Sequence, residues 1–517
     1  MTTDATVIEI ARTDNPFDTA GITLDANGVP HYADLLATLP DLLRSRAETV
    51  PDTEAVVETG AQRLTYRQLW DRATRIAGGL RAEGLTRGDR VSIRYPAGAD
   101  WVLAFWGVVL ASGIAVAVNT RSAEPEIEFV LADAGVRVDL APGTPLPDGE
   151  PYLAEGLRHD DIAALFYTSG TTGKPKGVPT THEAFLTNAE NMVRCLDLPR
   201  DIGARLRTLI SVPLFHVTGC NSQLLVAAYL GGTSVIMPGR DVPAMIAAVP
   251  AERISFIVTV PAMYALMLRH ADFAGTDMSG VRWVGYGGAP IAPALVRQLQ
   301  AAFPAAIVFN GYGMTETASL MTVLPDGDAV DHADSVGYAV PSVRLAVAPI
   351  DADPGVGELL ARGANVTGGY WNRPEATDAA FLHGWLRTGD VVRVDAAGRV
   401  HIVDRIKDII NRGGENVSSV EVEAALLAAP ARAGAGGRAR AGVGVGGKVG
   451  GGGVGAWGGG GLAARETPLR GARDSSRCWA APCCRSTTGT PTCRWPHRRC
   501  SGTRPTSRYR PTGSTPA

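Results

Sequence analysis

The sequence predicts an α/β protein with two βαβ-type blocks followed by a smaller β subdomain, and three patterns lead there. Between residues 42 and 140, helix-like segments alternate with short apolar runs; Leu64 through Ala73 and on to Leu80 reads as a helix, and Val91 to Tyr95 as a strand. A second block of the same kind spans 161–330, with strands expected at Ile254 to Val260 and Val281 to Gly285. From 335 to 400 the segments shorten. Leu345–Val347, Gly357–Ala361 and Val400–Val403 are brief β runs set between Asp-Pro-Gly and Ala-Ala-Gly turns.

Composition bounds the rest. The chain has 517 residues, 45% of them hydrophobic, and a formal net charge of −3, an ordinary balance for a protein with a large core. The average hides a break: residues 1–430 carry 34 Lys and Arg against 50 Asp and Glu, whereas 431–517 carry 15 against 2. Trp101 to Val118 is uncharged and apolar over about 18 residues, near the lower limit for a membrane span. Ala111-Ser112-Gly113 divides it into a helix-sized piece and a β-branched piece, so a buried helix followed by a buried strand is expected, with no membrane span. The N-terminus has neither a basic region nor a long apolar one, which makes the cytoplasm the default compartment. Only Cys195 and Cys220 precede residue 478, too few for a disulfide framework.

Chemistry concentrates at Tyr167-Thr-Ser-Gly-Thr-Thr-Gly-Lys-Pro-Lys-Gly177. Asp161 to Tyr167 is suited to a buried strand that delivers this loop at its carboxyl end. The glycines let backbone approach an anion, Thr168, Ser169, Thr171 and Thr172 supply hydroxyls, and Lys174 and Lys176 supply charge: the loop is built to grip a polyphosphate. Its spacing is not that of a Walker A loop. A plain Gly/Ser/Thr linker has no need of two lysines and a proline at a strand end.

This loop resembles the phosphate-binding signature of the adenylate-forming superfamily, in its acyl-CoA synthetase branch. Tyr286-Gly-Gly-Ala-Pro290, Asn310-Gly-Tyr-Gly-Met-Thr-Glu316, Gly357-Glu-Leu359, Gly369-Tyr-Trp-Asn372, Trp385-Leu-Arg-Thr-Gly-Asp390 and Asp404-Arg-Ile-Lys407 through Asn416 are similar to its later signatures, in order, over about 60–425. The resemblance implies a large AMP-binding domain at 1–404, then a hinge and the start of a small α+β C-terminal domain at 405–430, with Ser418 or Ser419 as a helix cap. It implies ATP, Mg²⁺ and CoA: a carboxylate attacks the α-phosphorus to give acyl-AMP and pyrophosphate, and a thiol then displaces AMP.

Roles carry over residue by residue. Thr168, Lys174 and the Ser169, Gly170, Thr171, Thr172 and Gly173 stretch would hold phosphates. Glu316 would touch the metal, with Thr315 near the α-phosphate. Tyr312 would stack on adenine beside the Gly287-Gly288-Ala289 turn, and Asp390 would accept both ribose hydroxyls. Arg405 would reach the nucleotide from the hinge, and Lys407 is the implied hinge residue. His216, in Pro213-Leu-Phe-His-Val-Thr-Gly219, would border the acyl site with Gly311 and Gly313. Relatives specific for acetate place tryptophan at the position of Gly313, so glycine is expected to leave the pocket open to a longer or bulkier acid. Val258 to Met267 and Cys220 to Val226 are candidate linings. Neither Val308-Phe309-Asn310 nor Val217-Thr218-Gly219 offers a carboxylate for a substrate amine, which disfavours amino acids, and an aryl acid is the alternative.

Beyond Pro430 the text changes. No Ile, Phe, Met, Asn or Gln occurs after residue 430, and leucine only at 462 and 469. Residues 431–517 are therefore expected to be low-complexity, out of frame or disordered, leaving the small domain incomplete. Lys448 is the only lysine after Lys407, and the family's Pro-x-x-x-x-Gly-Lys motif has no counterpart, so adenylation should be impaired in this chain, down to a nucleotide-binding pseudoenzyme. The cluster Cys478, Cys483, Cys484, Cys493, His497, Cys500 lacks paired Cys-x-x-Cys knuckles and argues against zinc. Arg-rich text without aromatic interleaving argues against nucleic acid.

Overall fold

The apolar run Trp101 to Val118 divides where its Ser-Gly pair predicts, into the helix Ala99–Leu110 and the strand Ile114–Ala117. Every helix residue except Asp100 is buried, which is why the segment is hydrophobic all round. It packs on the helix Tyr66–Ala82, where a Cβ on Gly107 would collide with the Ile76 side chain, so glycine sets how closely the two axes approach. Thr65 caps the second helix by a capping box with Gln68, worth about 1 kcal/mol. In a computed structural model that describes residues 6–168, 174–239, 241–350 and 355–406, with the backbone of 410–412 and 415–417, no helix among the described residues is long and apolar enough to cross a membrane. The expected helix start at Ser418 or Ser419, Lys407 and the segment 431–517 lie outside the described residues.

The described strands form three main sheets. The first has five strands in the order Lys176–Thr181, Ile162–Thr168, Ile114–Ala117, Arg90–Ile93, Val136–Leu140, all parallel but for the antiparallel first. The second has nine, with a parallel centre of Ile307–Met314, Trp283–Tyr286, Phe256–Thr259, Arg207–Ile210, Thr233–Ile236 and Glu54–Glu58. The third is antiparallel and holds Val343–Pro349, Val356–Gly363, Trp385–Val394 and Val400–Arg405, with Ile8–Glu9 at one edge.

The α/β class and the β subdomain agree with the sequence reading, but the two blocks are not two sheets. Glu54–Glu58 leaves the first block to pair with Thr233–Ile236, and Ile162–Thr168 leaves the second to pair with Ile114–Ala117. Periodicity reports which residues are buried in a strand; it carries no information on the neighbour they hydrogen-bond.

The helix His182–Cys195, capped by Thr181, is buried along almost its whole length and ties the sheets together. Phe185 packs edge-on against Phe105 and Phe166, while Asn188 accepts a hydrogen bond from the Leu320 N–H at 3.1 Å across to the nine-stranded sheet. Its buried Glu190 is compensated by Arg194 and Arg200 and by the Tyr229 hydroxyl.

Candidate functional site

Thr168 ends a strand of the five-stranded sheet, and Tyr286 and Met314 end parallel neighbours in the nine-stranded one, so the segments following all three emerge at strand carboxyl ends, where open α/β sheets bind ligands. Ser169 to Gly173 fall outside the described residues, and the phosphate loop resumes at Lys174. Thr168 is half-buried opposite Lys176 in the hairpin that brackets the loop. The exposed Lys174 places Nζ 4.9 Å from the centre of the Phe129 ring, and Lys176 places Nζ 4.3 Å from the centre of the Tyr370 ring.

Two motifs far apart in sequence meet beside this loop. The Trp371 N–H donates to the Gly177 carbonyl at 2.8 Å, and the Tyr370 hydroxyl donates to Glu316 Oε1 at 2.8 Å. A backbone bond from the Thr367 N–H to the Glu316 carbonyl, 2.8 Å, fixes the same pair of segments. Burial and the neighbouring Glu316 push the Tyr370 phenol well above its ordinary range, so it stays a donor. Oε2 of Glu316 has no hydrogen-bond partner among the described residues. A single buried carboxylate, one of whose oxygens is held by a phenol, suits a Mg²⁺ ion that keeps water and phosphate oxygens as its other ligands; among the described residues no cluster of three carboxylate, His or Cys side chains exists to hold a metal by protein groups alone.

Asp390 forms a second centre. Tyr312 donates its hydroxyl to Oδ2 at 2.5 Å, and Arg405, its cross-strand partner, sits 3.2 Å from Oδ1. Burial first, and then Asp390, hold the Tyr312 phenol well above its ordinary range. Each carboxylate oxygen keeps a second lone pair for an incoming hydroxyl. The turn before Asp390 is held by Glu358, whose Oε1 accepts from the Gly389 N–H at 3.1 Å and whose Oε2 pairs with Arg387.

Gly287 and Gly288 form the expected tight turn. A Cβ on Gly287 would collide with the Gly311 carbonyl, and Gly288 has φ +72°; Ala289 follows, exposed. Thr315 is half-buried at the head of the 3₁₀ turn Thr315–Thr317 that carries Glu316.

Gly313 departs from expectation. It is exposed, yet the direction a side chain would take is filled by the backbone of Ser319, because the hairpin register shifts between Tyr312 and Gly313 and Ser319 itself has φ 114°. Glycine at 313 is thus required by the hairpin and does not mark an open pocket floor. At Gly311 a Cβ would meet only the end of the Leu320 side chain, at 2.9 Å. His216 is exposed and packs on Phe215; the π-helix Cys220–Leu224 that follows reaches the Glu316 hairpin through Asn221 Nδ2 to the Ala318 carbonyl, 2.9 Å, and Ser222 to Ser319, 2.7 Å between hydroxyls.

Sequence patterns assign no role to Tyr370, Glu358, Asn188 or Asn365, and place Asn221 and Ser222 only within a candidate acyl lining. Tyr370 and Glu358 lay inside recognised motifs, so a signal existed. Asn188 lay on a helix whose pattern announced only burial.

A family model described as AMP-binding enzyme matches residues 43–371. The chain is 35% identical over 423 residues to the long-chain-fatty-acid–CoA ligase FadD13 of Mycobacterium tuberculosis, covering 75% of this chain and 83% of that one. It is 37% identical over 415 residues to a feruloyl-CoA synthase of Amycolatopsis sp, covering 74% and 82%. Among solved structures, the O-succinylbenzoate coenzyme A synthetase of Bacillus subtilis in complex with ATP and magnesium ion superposes with a TM-score of 0.69 at 29% identity, over 75% of this chain and 84% of that one. The strand-end glycines, the paired carboxylate centres and these matches lead to one conclusion: the chain belongs to the AMP-binding enzyme family, in its acyl-CoA ligase branch.

Proposed function

We propose that this protein is an ATP-dependent ligase that activates a hydrophobic carboxylic acid, medium-to-long-chain or bulky, as acyl-AMP and transfers the acyl group to CoA. The observation that carries it is the pair of carboxylates flanking the strand ends. Asp390, between Tyr312 and Arg405, suits two ribose hydroxyls, and Glu316, beside the phosphate loop, suits the metal of MgATP. On this reading the 168–173 backbone and hydroxyls and Lys174 bind the β- and γ-phosphates, Thr315 faces the α-phosphate, and Arg405 and Lys407 lie at the hinge. Bound Mg²⁺ would supply charge neutralisation at the phosphates, with Glu316 among its ligands.

The acid enters beside His216, Gly311 and the 220–226 segment. The similarity to a feruloyl-CoA synthase keeps an aryl acid within this class. A second reading, a nucleotide-binding pseudoenzyme, is favoured by one fact: no Pro-x-x-x-x-Gly-Lys motif follows Lys407. With it goes the proposal that 431–517 is an out-of-frame segment, which resequencing of the locus tests; an unshifted read defeats it.

The deciding measurement is Mg²⁺-dependent pyrophosphate release by the full chain with ATP and acids of graded length, aliphatic and aromatic. Release with one class supports ligation and names the substrate. ATP binding with no release under any acid supports the pseudoenzyme.

A further inference from the structure

Tyr370 stands between the two phosphate-handling elements and touches both. Its ring face receives Lys176, at 4.3 Å, from the strand that closes the phosphate loop, and its hydroxyl donates to Glu316 Oε1 at 2.8 Å. Its own placement is fixed by neighbours on both sides. The Tyr370 N–H donates to Thr377 Oγ1 at 2.9 Å, and the next residue, Trp371, is bonded to Gly177. At Gly177 an added Cβ would sit 3.0 Å from the Tyr167 ring and 3.2 Å from Trp371, so loop end and aromatic segment are in close packing. A cation over a phenol ring draws electron density from the oxygen and strengthens the O–H as a donor; a donor to one carboxylate oxygen restricts the orientations of the group and leaves the other oxygen for a further ligand.

From this geometry we infer that Tyr370 is a positioning residue for metal-bound nucleotide: it locks the Glu316 carboxylate so that Oε2 faces the metal, and it couples that orientation to the lysine of the phosphate loop. The inference rests on the reading of Glu316 as a metal ligand. It predicts a role that is felt only when the cation is present.

The test is calorimetric titration of ATP into the full chain with and without Mg²⁺, for wild type, Tyr370→Phe and Glu316→Gln, with a thermal melt of each. Phenylalanine keeps the ring beneath Lys176 and removes only the donor. The Mg²⁺-dependent gain in ATP affinity should fall about tenfold or more in Tyr370→Phe, as for a lost hydrogen bond to a charged group, while Mg²⁺-free affinity stays at the wild-type value and the melt, lowered by the lost bond to buried Glu316, still shows a folded chain at the titration temperature. Glu316→Gln should abolish the gain. If Tyr370→Phe keeps the full gain while Glu316→Gln loses it, the inference is wrong and the metal reading stands. If Tyr370→Phe weakens both affinities alike, Tyr370 is merely structural and the inference is also wrong. A full gain in Glu316→Gln, or none in wild type, overturns the metal reading itself and the inference with it.

Discussion

A methyl group on Gly313 overlaps the Ser319 carbonyl, a backbone atom that moves only if the hairpin moves. Gly313→Ala should therefore lower stability by about 3 kcal/mol or more in urea titration, whereas Gly311→Ala, which displaces only a leucine tip, should cost about 1 kcal/mol. Equal losses would defeat the hairpin account of position 313. His182 offers a second prediction at this scale. It is fully buried and accepts the Leu39 N–H on Nδ1, and burial lowers its pKa to about 4. The unfolded chain, with an ordinary histidine, binds a proton first as pH falls. Stability is therefore complete above about pH 6.5 and lost as pH drops toward 4, amounting to about 2 kcal/mol between pH 7 and pH 5. His182→Asn should flatten that slope; an unchanged slope places the effect elsewhere.

The element that most constrains the site is the turn after Glu316. Ala318 and Ser319 both have positive φ, 50° and 114°, a cost of order 1 kcal/mol each for residues with a Cβ. Buried side chains hold the turn: Asn221 on Ala318, Ser222 on Ser319, Asn188 on Leu320, and Asn365, whose Nδ2 donates to the carbonyls of Thr317 at 2.7 Å and Leu320 at 3.0 Å. Asn365→Ala strips two buried hydrogen bonds and should cost about 3 kcal/mol by chemical denaturation, with weakened ATP binding at temperatures where the chain is still folded. Wild-type stability in that variant would show the turn to be held without it. None of this was legible beforehand. The Thr-Glu motif announced Glu316, and a strand-end glycine run announced the Gly287 turn, because those residue types are tied to their own backbone conformation. Asn188, Asn221 and Asn365 act on a turn up to about 130 residues away, and no local pattern marks such a partner.

At the scale of the whole molecule, segment types were readable and their neighbours were not. Trp101 to Val118 revealed its helix and strand through a Ser-Gly break, and the β subdomain revealed itself through turn residues. Pairing of Glu54–Glu58 with Thr233–Ile236 depends on tertiary closure, which hydrophobic patterning does not encode. Composition makes one further prediction at this scale. With leucine only at 462 and 469 and no Ile, Phe or Met beyond 430, residues 431–517 hold little with which to build a core, so their deletion should leave the urea midpoint and ATP affinity unchanged. A loss of either would assign the segment a structural part.

The exchange of strands between sheets has a consequence for biosynthesis. Val56 finds its partner at Ser234, and Ile8 finds its own only at Val347. At the usual ribosomal pace of about 5–20 residues per second, the apolar Ala55-Val56-Val57 leaves the exit tunnel roughly ten to thirty seconds before its partner is made. During that interval it is a sticky, single-sided edge, a natural client for holdase chaperones, and the nine-stranded sheet cannot be completed until the nascent chain has passed its last strand at Tyr338–Ala339.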